Sequence, residues 1–184
     1  IDEVLTLIVA GHETTASALN STWYLLARNP DAERKLHREL DAAPEWSAPS
    51  LTEIESLGYA HSVCDESMRM YAPGWLISRR AIEPDVLGGY ELPAGTDVLL
   101  SPYVLHRHPQ FWHSPESFRP ERFDAEHEQE RPRFAYMPFA AGPRHCIGEA
   151  LAMYEMLVHL YKFARRFQLR LTTQDDIEFE AQVN

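Results

Sequence analysis

Apolar residues return every three or four positions from the start of the chain. Val4, Leu5, Leu7 and Ile8 share one helical face, and the pattern predicts a first helix from about Ile1 to Arg28. Its weak point lies at Gly11 and Thr14-Thr15. Glycine costs about 1 kcal/mol inside a helix, and threonine hydroxyls compete for backbone carbonyls. A second helix is announced by Asn29 as N-cap, Pro30 at its first position and Asp31 in its first turn. It runs through Leu36 and Leu40 and dissolves between Pro44 and Pro49. Thr52 and Glu55 stand at capping-box spacing for a short helix. Gly58 interrupts, and a further helix is expected from about Tyr59 to Met70, ended by Ala72-Pro73.

The period then changes. Leu76 to Ala81, Val86-Leu87, Tyr90 to Leu92 and Asp97 to Ser101 are short strand-forming segments, separated by Gly88-Gly89 and Pro93-Ala94-Gly95. They predict one small antiparallel sheet. Pro102 to Pro138 is rich in proline and reads as loop with short helices at most. A last long helix is expected from about Ile147 to Arg166, with Ile147, Leu151, Tyr154, Val158 and Tyr161 as its apolar stripe. Residues 175–184 alternate in the manner of an edge strand. The fold class is mainly α with a small antiparallel β annex. The chain opens and closes in mid-pattern, which reads as part of a longer protein.

Composition narrows the function classes. With 17 basic against 28 acidic residues the net charge is −11, which argues against nucleic acid as a partner. No apolar run approaches the ~18 residues of a membrane span. Two cysteines, Cys64 and Cys146, are too few for a disulfide scaffold, so a cytoplasmic protein is expected.

The richest local signal is Phe139-Ala140-Ala141-Gly142-Pro143-Arg144-His145-Cys146-Ile147-Gly148. A cysteine sits where a Gly/Pro turn meets a helix start, beside Arg144 and His145. Positive potential of this kind favours the thiolate, the form that binds metal or attacks an electrophile. Gly148 lets something flat approach the backbone. Taken alone, Cys146 has three readings: a core cysteine, a nucleophile, or a metal thiolate. Without a Cys-x-x-Cys partner, zinc and iron–sulfur sites are disfavoured, and a haem axial ligand fits best.

The segment resembles the haem-binding signature Phe-x-x-Gly-x-Arg-x-Cys-x-Gly of the haem-thiolate monooxygenases, the cytochromes P-450. Three further matches follow in that family's order. Ala10-Gly11-His12-Glu13-Thr14-Thr15 resembles its oxygen-activation motif, Glu66-Ser67-Met68-Arg69 its Glu-x-x-Arg helix, and Phe118-Arg119-Pro120-Glu121-Arg122-Phe123 its Pro-Glu-Arg-Phe meander. The match begins at the family's central helix. It implies that residues 1–184 are the haem-binding portion of a single cytochrome P-450 domain, truncated at both ends.

The resemblance assigns roles. Cys146 is the iron ligand of haem b (iron protoporphyrin IX), shielded by Phe139. Arg144 and one of Arg79 and Arg80 meet the propionates, and Arg79 is preferred by its count from Arg69. Glu66, Arg69 and Arg122 form a buried structural network. Glu13 and Thr14 relay protons, Gly11 opens space for them, and Thr15 supports the bend. Ala10, Leu76 and Ile77 line a site for an apolar small-molecule substrate. His106, His108 and His113 are packed or solvated rather than a metal site, and Asp124 to Glu130 is a solvated acidic loop.

The implied reaction is reductive activation of O2 with insertion of one oxygen atom, in a soluble enzyme of bacterial type. Electrons come from a ferredoxin, flavodoxin or flavin reductase, docked on a basic patch of Lys162, Arg165 and Arg166. Two rivals stand beside it. One is a peroxide-driven or peroxide-rearranging enzyme, which would not need Glu13-Thr14; the other is a haem-thiolate sensor without turnover.

Overall fold

Four helices surround the buried side chains that hold the molecule together. In the computed structural model, residues 2–124, 126–127 and 131–173 are described. Helix α1 spans Asp2–Arg28, α2 Pro30–Ala42, α3 Leu51–Glu55, α4 Gly58–Met70, α5 Pro102–Leu105 and α6 Glu149–Ala164. Helix α4 is central, packing on α1, α2 and α6 and on the 3₁₀ turn Pro120–Phe123. Leu26, Leu36, Leu40, Ile54, Val63, Met156, Leu157 and Leu160 are fully or almost fully buried there. Each contributes roughly 1.5–3 kcal/mol by leaving water.

The expected helices are present with shifted details. Helix α1 runs unbroken through Gly11 and Thr14. Asn29 does precede α2, but its side chain donates to the Leu25 carbonyl at 2.7 Å and closes α1 instead of capping α2. The capping box of α3 is Ser50 with Glu53, not Thr52 with Glu55; Glu53 accepts from both the amide and the hydroxyl of Ser50 at 2.7 Å. The predicted stripe on α6 holds in part, with Tyr161 buried and Tyr154 and Val158 packed partly against the core. Ile147 precedes the helix, Leu151 is exposed, and the buried face is Met153, Met156, Leu157, Leu160, Tyr161 and Ala164.

The β annex is two ribbons, not one sheet. Strands β1 (Ile77–Arg80) and β4 (Asp97–Leu100) pair antiparallel with Arg79 opposite Val98 and Arg80 opposite Asp97. Strands β2 (Asp85–Leu87) and β3 (Tyr90–Leu92) form a hairpin within that connection. Its turn is Gly88-Gly89, both with positive φ, the geometry that glycine adopts without strain. The alternating segment 175–184 lies outside the described residues, as does part of the acidic loop from Asp124 to Glu130.

Candidate functional site

The three residues predicted to form a network meet at the C-terminal end of α4. Glu66 and Arg69 are one turn apart and fully buried. Arg69 donates Nε to Glu66 Oε2 at 2.7 Å and Nη2 to Oε1 at 2.9 Å. Its remaining N–H groups reach the carbonyls of His106 and Pro115, both at 2.8 Å. Glu66 Oε1 also accepts from the Arg119 amide at 2.8 Å and from Arg122 Nε at 3.3 Å. Arg122 donates in addition to the Ser114 carbonyl at 2.8 Å. Two guanidinium groups thus share one carboxylate, and backbone carbonyl dipoles supply the missing negative charge. Burial lowers the Arg122 pKa from its usual value, with Glu66 opposing that shift.

The loop before α6 is built from turns within itself. Ala140 and Gly142 both lie in the left-handed region, at φ 62° and 72°, on either side of the extended Ala141. For alanine this is strained backbone, held here by its neighbours. The amide of Cys146 donates to the Phe139 carbonyl at 2.9 Å, that of Ala140 to Met137 at 3.2 Å and that of His145 to Gly142 at 3.0 Å. These bonds fold the loop back so that Cys146 is exposed, two residues before the N-cap Gly148. A Cβ built on Gly148 meets only the Cys146 Sγ, at 3.7 Å. Phe139 is half-buried against the core, whereas Ile147, next to Cys146 in the chain, and Leu151 on α6 are exposed.

The loop is anchored from behind by two side chains that the sequence reading did not single out as anchors. His106 is fully buried and accepts the Met137 amide at Nε2, 2.9 Å away. Tyr136 donates to Asp65 on α4, with the carboxylate and the backbone carbonyl both at 3.0 Å. The sequence signal for either was weak: a histidine in a loop with two others, and an aromatic between prolines. Among the described residues, no group of acidic, histidine and cysteine side chains is placed to hold a metal ion.

The remaining candidates lie on exposed surfaces. Ala10, Gly11, Glu13 and Thr14 face outward on α1, while Thr15 is buried. Thr14 Oγ1 donates to the Ala10 carbonyl at 2.6 Å, which leaves its oxygen free to accept. On β1, Ile77 and Arg79 share one face and Ser78 and Arg80 the other. Leu76 precedes the strand, half-buried. Arg80 is engaged by Asp97 through two bonds of 2.7 and 2.8 Å. Arg79 touches only the Ser78 carbonyl, and Arg144 ends an exposed 3₁₀ turn without an ion pair among the described residues.

Two cations of the expected basic patch also hold the fold together. Lys162 donates to the carbonyls of Trp46 and Ser47, and Arg165 to Pro44 and the Tyr161 hydroxyl. Both cations clamp the loop between α2 and α3 onto α6. Among the described residues, Arg166 alone of the three makes no side-chain bond of this kind.

Comparison with known proteins identifies the family. The family model for cytochrome P450 matches residues 1–182. Cyclooctatin synthase of Streptomyces melanosporofaciens is 44% identical over 169 residues, covering 92% of this chain and 37% of that protein. Carotene epsilon-monooxygenase of Arabidopsis thaliana, a chloroplastic protein, is 38% identical over 180 residues, covering 96% and 33%. The crystal structure of the cytochrome P450DA heme domain superposes with a TM-score of 0.83 at 33% identity, over 88% of this chain and 36% of that one. The chain therefore spans little more than a third of the length of these relatives, and among the described residues no helix is long and apolar enough to cross a membrane. With its cysteine loop, its buried Glu-Arg-Arg network and a family match along nearly its whole length, the chain belongs to the cytochrome P450 family, which implies a haem cofactor.

Proposed function

We propose that this chain is the haem-binding portion of a single-domain monooxygenase that inserts one oxygen atom of O2 into an apolar organic substrate, with electrons from a separate redox protein. The observation that carries the reading is Cys146, an exposed thiol on a loop tied back by Phe139 and followed in the chain by the exposed Ile147. An exposed thiol beside an exposed apolar side chain suits the flat face of haem b. Arg79 and Arg144, exposed and without carboxylate partners among the described residues, suit its two propionates. Asp97 occupies Arg80, which supports Arg79 over its neighbour. When bound, a thiolate-ligated haem supplies the electron density that favours O–O cleavage.

The chain's own residues would do the rest. Thr14 Oγ1, with its hydrogen directed at Ala10, would accept a hydrogen bond from water and so hold a proton source on the exposed face of α1. Glu13 stands beside it as the group that replenishes the proton. Ala10, Leu76 and Ile77 offer apolar contacts for the substrate. That a relative is named cyclooctat-9-en-7-ol 5-monooxygenase supports a hydrocarbon-rich substrate class.

The test is spectroscopic. In haem-loaded protein the reduced carbon-monoxide complex should show the strongly red-shifted Soret band of a thiolate-ligated haem, and Cys146→His should move it to the imidazole position. A wild-type band like that of a globin overturns the ligand assignment.

A further inference from the structure

We propose that His106 is a positioning residue for Cys146, joining the buried Glu66–Arg69–Arg122 network to the loop that carries the thiol. The inference rests on Cys146 being the haem ligand. His106 is bonded in both directions: its carbonyl accepts Arg69 Nη1 at 2.8 Å, and its ring Nε2 accepts the Met137 amide at 2.9 Å. Met137 in turn accepts the Ala140 amide, and Phe139 accepts the amide of Cys146. From the guanidinium to the thiol-bearing backbone the path alternates hydrogen bonds with short covalent steps, through His106, Met137 and the Phe139–Ala140 peptide.

The imidazole is held for its acceptor. Since Nε2 receives an amide proton, the ring proton belongs on Nδ1, which is buried and faces the backbone carbonyls of Met68 and Arg69. The Tyr136 ring, tilted against His106 with centroids 5.2 Å apart, fixes the plane in which Nε2 points. Strain at Ala140, one residue beyond Phe139, gives the loop a reason to relax once the Met137 bond is lost.

The test uses haem-loaded protein and compares His106→Phe with His106→Gln. Phenylalanine keeps the ring and removes the acceptor; glutamine restores an acceptor oxygen without the ring. The readouts are the share of thiolate-type Soret band in the reduced carbon-monoxide complex and the haem reduction potential. Loss of a ligand-orienting partner of this kind typically costs 10–100-fold, so the Phe variant should lower the ratio of thiolate-type to non-thiolate band by about tenfold or more. Its potential should shift, whereas the Gln variant should stay near wild type in both readouts.

A Phe variant with wild-type band and potential overturns the proposal. So does a Gln variant as impaired as Phe, because that outcome assigns the effect to ring packing. If the Phe variant takes up no haem, the Gln variant decides alone: a wild-type band supports the acceptor role and a lost one overturns it. A wild-type protein with no thiolate-type band would instead overturn the ligand reading itself.

Discussion

Thr14 is a residue whose hydrogen bond sets its chemistry. Its hydroxyl proton is engaged by Ala10, so in this geometry the oxygen acts as an acceptor. Thr14→Ala should leave substrate binding intact yet uncouple turnover. NAD(P)H consumption should persist, hydrogen peroxide should rise, and product per NAD(P)H should fall by about 10²-fold, the lower end of what a positioned proton donor contributes. Unchanged yield without extra peroxide would favour the peroxide-driven reading. His106 yields a prediction of another kind. Burial, then the nearby Arg69 guanidinium, lowers its pKa from 6.5 to about 4. The unfolded chain therefore binds more protons than the folded one between those values, and stability falls as pH drops through that window. The loss should reach about 3 kcal/mol at pH 4, and denaturant titrations should show a flatter pH profile for His106→Gln.

Strands and helices differ in how much of their orientation a sequence reveals. On β1 the period of two leaves only one of Arg79 and Arg80 on the face shared with Ile77, and the cross-strand Asp97 claims Arg80. Arg79→Ala should accelerate haem loss, followed by transfer to a scavenger protein, while Arg80→Ala should mainly weaken the β1–β4 ribbon. Equal rates for both variants would remove the distinction. Helix α6 was harder to read. Apolar residues surround it, so more than one stripe satisfies the spacing, and the exposed Leu151 was indistinguishable from the buried Leu157. The clamp on the loop between α2 and α3 was not legible at all. Lys162 and Arg165 look like surface charge until the carbonyls of a distant proline-rich loop arrive beside them. The cysteine loop was recognised by its residue types, but not the left-handed turn at Ala140, a conformation that alanine does not advertise.

For the whole molecule, the network on α4 ties the chain's distant parts together. Arg122→Ala should destabilise the fold by about 3 kcal/mol, at the low end for removing one partner of a buried ion pair, because Glu66 keeps Arg69. Haem retention should fall with it, whereas Arg170→Ala, at an exposed position, should retain haem normally. Equal haem content in the two variants would show that the network does not support the cofactor. The order of synthesis adds a consequence. Glu66 and Arg69 leave the ribosome together and can pair at once on their helix, yet the other groups that seal them follow 37 to 56 residues later. Until then a nascent α4 carries its ion pair in water. Closing that span costs chain entropy that grows only logarithmically with its length, so the delay is one of timing more than of energy. Burial of the pair thus waits for Arg122 to leave the ribosome, and the segment bearing Cys146 emerges behind it, onto an anchor that is already free to close.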